Sequence, residues 1–581
     1  MKDSLLRYLD RERLAERRVQ REIHSLPLHE RVECGEAIAG ATVVSQGGGI
    51  YVIYAAEHGA KFREGDLLWL GDGENIDSGA PVRLVKYDPA ARELTLEHDD
   101  RESSAPVLHQ KIYVLDRRSM ELGERFATAI ESIFRKENHP IAVCLDGLLA
   151  TDDDERVRRL MLQNARERGL DRSQAEAFSR ALARPKLHLI QGPPGTGKTK
   201  LIGEIVDACI SAGERVAVIA YTHRAVDQVL LKCAACSDSK KVYKLDSNRT
   251  EASELTGTGV KKISSIDKVA TNRDPWILGM TTHAAARAAE KGLRVDRVIF
   301  DESGQIPIPH AISAMRLAEK WLFVGDHAQL PPVVAGEHVD EHKISIFEHL
   351  VSRYPSTMLE TTYRMNTGIC AFPSKQFYNN ALSPSPDAAS RLLSLKKGGR
   401  FRKVFDPKQP AVFVQIDHCG AAMRSRREAI VAAELLLELM IHHRFPASEI
   451  AAIAPFRAQV MAIREQLERR AAKCNFKPEG GMPLVETVER IQGREREIVI
   501  ISFASSDPDW LATQSSFYYL PNRLNVALTR ARSKCIIVAS PLAFDVRART
   551  LKEAKTLQLF RELRESLSPV SGHTVESEID A

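Results

Sequence analysis

Long apolar runs are missing from this chain of 581 residues. None approaches the roughly 18 uninterrupted apolar residues of a membrane span, and the longest are strand-sized. At the N-terminus, MKDSLLRYLDRERLAERR breaks every apolar pair with charge, which argues against a secretory signal. Cysteine is scarce: nine residues, an odd number thinly spread, exclude a disulfide scaffold and imply free thiols in a reducing compartment. No repeat of solenoid period is present. What is there is ordinary globular material, 44% apolar and 27% charged, which excludes disordered and collagen-like classes. At about 150 residues per domain the length predicts about four domains. The expectation is a multidomain cytoplasmic protein with no membrane association.

Net charge is small, 82 − 77 = +5, but unevenly placed. Residues 391–430 hold ten Lys and Arg against three Asp and Glu, 10 − 3 = +7. That segment reads equally as solvated surface or as a stripe facing nucleic-acid phosphates.

Texture divides the chain. Residues 1–30 suit an amphipathic helix through Leu5, Leu6, Leu9, Leu14 and Val19. Residues 31–115 are short β-like runs broken by Gly47-Gly48-Gly49, Gly71-Asp72-Gly73 and the turn Asp88-Pro89-Ala90-Ala91, which predicts a small β-barrel. A helical pattern returns over 116–160 and carries the connection onward. Beyond it, eight apolar runs alternate with helical segments: 187–191, 215–220, 297–302, 321–326, 411–417, 450–456, 497–503 and 534–540. This rhythm indicates an α/β fold with parallel sheets covered on both faces, divided as lobes at 161–365 and 366–566. The polar residues 567–581 are expected to form a flexible tail.

The sharpest chemical signal is Gly192-Pro193-Pro194-Gly195-Thr196-Gly197-Lys198-Thr199, between an apolar run and a helical one. Glycines there let backbone N–H groups wrap a phosphate at a helix N-terminus. Lys198 supplies the cation, and the Thr199 hydroxyl suits magnesium. RVIF-Asp301-Glu302 adds an acidic strand end, Asp301 for the metal and Glu302 for the attacking water. WLFVGD-His327-Ala328-Gln329 places an amide where loss of a γ-phosphate could be sensed. Ligands of open α/β sheets sit at such carboxyl ends. ATP and Mg2+ are the expected cofactors.

In this order the motifs resemble superfamily 1 helicases, in the branch of the nonsense-mediated-decay and immunoglobulin-mu-binding helicases. QGPPGTGKT, DESGQ and GDHAQLPP look like motifs I to III, and TTYRMNTGICAFPSKQFY like the tyrosine–arginine segment joining two RecA-like lobes. IAAIAPFRAQV, TVERIQGREREIVIIS and NRLNVALTRARSKCIIVAS look like motifs IV to VI. The resemblance implies a barrel carried on a helical stalk, and it implies roles. Gln174 would read adenine, Tyr363 would stack on it, and Glu495 would sit near the ribose and γ-phosphate. Arg364 and Arg530 would be arginine fingers, a task for which a forked guanidinium suits better than an ammonium. Thr282, Pro455 and Thr487 would touch single-stranded DNA or RNA. The activity implied is ATP-driven translocation, 5′-to-3′, by a monomer, with an unidentified protein partner left open. A nucleic-acid-stimulated ATPase that remodels a partner without unwinding is the alternative.

Three departures from the family pattern stand out: Ser303 in DESGQ, His223 in AYTHRAVD, and the pair Glu489 and Ile491 in motif V. Cys233 and Cys236 have zinc-knuckle spacing, but no second ligand pair follows, so they read as thiols.

Overall fold

Inward and outward side chains alternate along six short antiparallel strands, and the strands close on themselves. Around the barrel they run Ala37–Gly47, Ile50–Tyr54, Glu93–His98, Ala80–Asp88, Leu67–Gly71 and Tyr113–Arg117. The computed structural model describes residues 1–580 apart from 56–59, 61, 63–65, 75, 77–78, 89–90, 100–111, 119–122, 184–185, 237–240, 247–254, 273, 337, 339–344, 479–480 and 492. Part of the turn expected at 88–91 therefore lies outside the described residues. Ile53, Leu68, Val82, Leu96 and Leu115 fill the barrel interior.

Two helices carry the barrel, Lys2–His24 before it and Gly123–Phe134 after it. Leu5, Tyr8 and Leu9 of the first and Phe126, Ile130 and Ile133 of the second share a core with Ile308, Ile312 and Met315. The stalk is thus packed into the hydrophobic core of the lobe that follows.

That lobe is an eight-stranded parallel sheet in the order Lys261–Ile263, Val242–Leu245, Ile277–Thr281, Val216–Ala220, Arg297–Phe300, Trp321–Gly325, Leu187–Gln191, Thr357–Met358. The second sheet has six parallel strands: Leu484–Thr487, Ile450–Ala454, Arg496–Ser502, Ala531–Ala539, Ala411–Gln415, Ser568–Ser571. All eight apolar runs of the sequence are strands. The central strand Ile277–Thr281 escapes the sequence reading because Gly279 interrupts it. A Cβ there would lie 2.6 Å from Leu230 Cδ1, so the overlying helix His223–Cys236 needs the glycine. Cys233 is buried on that helix; the Cys236 side chain lies outside the described residues.

One expectation is overturned. Residues 567–581 do not form a flexible tail through 580: Ser568–Ser571 is the edge strand of the second sheet, and Gly572–Asp580 is helical. Polar outward positions hid the strand, while Val570 and Val575 turn into the core.

Beneath the first sheet, three neighbouring strands are tied at their starts. Glu214 accepts from Arg297 Nε at 2.9 Å and from Lys320 Nζ at 2.8 Å. Burial would raise the Glu214 carboxyl, yet the two cations hold it down at about 2. Its stabilisation is therefore present above the ordinary value of 4.5 and is lost as pH falls toward 2. Glu214→Gln should lower stability at neutral pH by on the order of 2–3 kcal/mol, the gap to wild type narrowing below about pH 4.5. Urea unfolding at stepped pH measures this; a gap that is constant with pH would contradict it.

Candidate active site

Every predicted phosphate-site motif of the first lobe leaves the carboxyl edge of its sheet. Strand Leu187–Gln191 ends in the glycine loop, Arg297–Phe300 in Asp301-Glu302, and Trp321–Gly325 in Asp326. Parallel register sets them side by side: Gln191 lies opposite Gly325 and Phe300 opposite Phe323.

The loop ends at Gly197, whose φ of 79° caps the helix Lys198–Ser211 from the left-handed region. Lys198 Nζ donates to the Gly192 carbonyl at 2.6 Å, and Thr196 Oγ1 donates to Pro193 at 2.8 Å. Thr199 is the second residue of that helix. Gln174 donates through Nε2 to the Thr196 carbonyl at 2.9 Å, so it braces the loop from behind. Added Cβ atoms at Gly192, Gly195 and Gly197 would lie 2.2–2.8 Å from Lys198, Arg364 and Gln174. Small residues thus leave a cradle of bare backbone, which fits a polyphosphate.

Asp301 is buried, and among the described residues its Oδ1 has no hydrogen-bond partner. Burial and then the Glu302 charge push its carboxyl up to about 7, while Lys198 opposes them. An orphaned carboxylate oxygen in a cluster with a phosphate loop fits a divalent cation, for which Asp301 and Thr199 are the oxygen donors. Glu302 sits in the left-handed region at φ 49°, where a residue with a Cβ is strained, and accepts from Gln305 Nε2 at 3.2 Å. Ser303, the departure in DESGQ, donates to the Val324 carbonyl at 2.8 Å and so links the two strand ends.

Between the sheets, the joining segment presses on the loop. Thr362 Oγ1 donates to Pro194 O at 2.9 Å, and the Tyr363 N–H donates to Gly195 O at 2.9 Å. Tyr363, 45% exposed, donates its hydroxyl to Asp171 at 2.7 Å, leaving its ring at the mouth of the site. Arg364 donates to Glu495 at 2.6 Å and to Thr529 O at 3.0 Å. Arg530 is 2% exposed and donates to Val526 O at 3.0 Å. Burial and then Arg364 bring its guanidinium down to about 9, so a polyanion between these arginines would be favoured.

A buried junction that sequence reasoning missed ties Asp326 and Gln329 to the second lobe. Asp326 Oδ2 accepts from Gln329 Nε2 at 2.9 Å and from the Tyr378 hydroxyl at 2.8 Å. Asn525 donates through Nδ2 to the Tyr378 oxygen and to Ala328 O, both at 2.8 Å. All three lay within motif strings, and nothing local marks them as partners.

The nucleic-acid assignments fare differently. Thr282 is fully buried with its hydroxyl 3.4 Å from His310 Nδ1, so it is not presented to a strand, a correction of the expected contact. Pro455 is half-buried after strand Ile450–Ala454, and Thr487 ends the neighbouring strand, largely covered. Glu489 binds Arg523 at 2.8 Å, and Ile491 is buried. The basic segment is partly spent internally: Arg400 on Glu434 and Glu438, Arg424 on Glu465, Arg427 on Glu576. Those pairs support the solvated-surface reading for these arginines.

Comparison with known proteins follows this geometry. Two AAA domain models match, at residues 169–367 and 342–542. A DNA replication ATP-dependent helicase/nuclease of Arabidopsis thaliana is 28% identical over 391 residues, 64% of this chain and 28% of that protein. An uncharacterized ATP-dependent helicase of Methanocaldococcus jannaschii is 26% identical, over 64% of this chain and 68% of that protein. The chain is thus similar to proteins named as ATP-dependent helicases over 64% of its length. The branch expected from the motifs is not confirmed by these relatives, which are named as replication helicase/nucleases and an uncharacterized helicase. The chain spans 26% to 44% of the length of the replication helicase/nucleases it matches. Among solved structures, that of an arterivirus nonstructural protein 10 (helicase) is similar at 12% identity and a TM-score of 0.38, over 90% of this chain and 83% of that one. No helix among the described residues is long and apolar enough to cross a membrane.

Removing the Tyr378 hydroxyl would leave Asp326 and Asn525 each one partner short in a buried site, a loss of about 1–3 kcal/mol. Tyr378→Phe should bind nucleotide normally but turn over ATP about ten-fold more slowly, as read by fluorescent-nucleotide titration beside steady-state ATPase. Weakened binding with unchanged turnover would be the wrong pattern.

Proposed function

We propose that this chain is an ATP-driven translocase and helicase on single-stranded DNA or RNA, stepping 5′-to-3′ as its two lobes close and reopen. The observation that carries the reading is the meeting at one cleft of the phosphate loop, the strand-end carboxylates, Arg364 of the joining segment and Arg530 of the second lobe. The DNA replication names of the matched relatives favour DNA as the strand.

Lys198 holds the β- and γ-phosphates, and the loop's backbone N–H groups bind the oxygens between them. When bound, a magnesium ion on Asp301 and Thr199 would neutralise phosphate charge. Glu302 orients the attacking water and takes its proton, a role that a carboxylate directly after strand Arg297–Phe300 and beside Asp301 suits. Arg364 and Arg530 stabilise the charge developing on the transferring phosphoryl group, and Gln329 senses its departure. Tyr363 and Gln174 hold the base, and Glu495 keeps Arg364 aimed. Pro455 and Thr487 remain the strand contacts of this reading; Thr282 drops out of it. The same reading divides the chain into a stalk helix at 1–30, a barrel at 31–115, a returning helix and connection at 116–160, and lobes at 161–365 and 366–566. It places the protein in the cytoplasm as a monomer.

Glu302→Gln should bind ATP yet hydrolyse it at least a hundred-fold more slowly, since the near-isosteric amide cannot accept the proton. Near-wild-type turnover would remove Glu302 from the mechanism. Stimulation of wild-type turnover by single-stranded DNA against RNA of matched sequence, beside displacement of a partial duplex, tests the substrate. Stimulation by neither strand would sink the proposal.

A further inference from the structure

The segment after the γ-phosphate sensor is anchored at both ends, and its anchors belong to different parts of the molecule. At its start, Leu330 is buried among Met365, Ile369 and Tyr378, in the core of the second lobe. At its end, three donors converge on one carboxylate of the barrel-carrying helix. Glu12 accepts from the Ala335 N–H at 2.9 Å, the Gly336 N–H at 2.8 Å and His338 Nε2 at 2.5 Å. Tyr8, one turn earlier, is buried and stacks on the His338 ring at 4.4 Å. The approach is tight: a Cβ on Gly336 would lie 3.0 Å from Glu12 Oε1 and 3.2 Å from the Arg11 carbonyl. Between the anchors stand Pro331 and Pro332, whose fixed φ stiffens the chain. From Leu330 to Ala335 the reach is at most roughly 18 Å, so little slack is available.

We propose that the segment from Leu330 to Gly336, with His338 beyond it, acts as a connecting rod between the second lobe and the barrel, and that Glu12 is the positioning residue that fastens it. Closure of the lobes on nucleotide moves Leu330 with the second-lobe core. The stiff segment carries that movement to Ala335, Gly336 and His338, and Glu12 passes it to helix Lys2–His24. The barrel is then re-aimed once per nucleotide cycle. This rests on the reading of the chain as a nucleic-acid-driven ATPase, but it concerns how the barrel follows the cycle and leaves the chemistry of hydrolysis alone.

Glutamine at position 12 keeps the size but offers a donor where the loop also donates, so it unfastens the rod without emptying the site. Hydrogen exchange of the full-length protein, with and without a non-hydrolysable ATP analogue, is the primary readout. In wild type, the analogue should change protection at 192–199 and also along 2–24. In Glu12→Gln, the change at 192–199 should persist and the change along 2–24 should vanish. Strand displacement should fall about ten-fold, the scale of losing one charge-assisted hydrogen-bond set, with single-strand-stimulated ATP turnover kept within about two-fold. His338→Asn should give the same split, and the double variant should be no worse than either single one. A wild-type change at 192–199 with none along 2–24 overturns the rod, as does undiminished displacement by both variants. No change at 192–199 in wild type would count instead against the ATPase reading itself.

Discussion

At Gly195 the phosphate loop and the segment joining the two sheets meet where no side chain could fit. The ideal Cβ position lies 2.5 Å from Arg364 Cβ and 2.6 Å from Thr362 Oγ1, and the glycine's φ of 76° excludes most other residues independently. On its far side the same segment reaches Glu495 and the Thr529 carbonyl of the second lobe. One backbone contact therefore fixes how near the second lobe's cations come to a phosphate. Movement of either lobe is felt at the loop through atoms in van der Waals contact.

Around that contact the protein keeps charges that burial alone would forbid. Asp301 is lifted to about 7, and Arg530 is lowered to about 9. A stability-driven core would replace such groups with apolar side chains at little loss. Their opposite displacements leave a carboxyl that keeps its proton longer than usual and a guanidinium that gives its proton up sooner on two sides of one cleft, an arrangement characteristic of active sites. The junction of Asp326, Tyr378 and Asn525 is its counterpart in hydrogen bonds, since Tyr378 donates to Asp326 and Asn525 to the Ala328 carbonyl across the two lobes.

The parts legible in the sequence are those whose chemistry is local. Glycines, a lysine and a strand-end carboxylate pair announce a phosphate site within a few residues, and short β-like runs broken by turns over 31–115 announce a barrel. What stayed hidden depends on partners far along the chain. Thr282 looks like a loop-tip hydroxyl until His310 is placed beside it. Arg400 looks like a phosphate contact until Glu434 and Glu438 come up from the neighbouring helix. Ser568–Ser571 looks frayed until Ala411–Gln415 offers it an edge. Glu12 carries no motif at all; its role depends on a loop more than 320 residues downstream.

Strand order also bears on synthesis. The strand that feeds the phosphate loop, Leu187–Gln191, has as its only described sheet neighbours Trp321–Gly325 and Thr357–Met358, both translated long after it. A ribosome-bound chain ending before residue 321 holds the whole glycine motif and five other strands of the sheet, but neither of the strands that Leu187–Gln191 pairs with. Nucleotide therefore cannot stabilise the earliest nascent lobe, and until those strands emerge the apolar run LHLIQ must be shielded by helices or by chaperones.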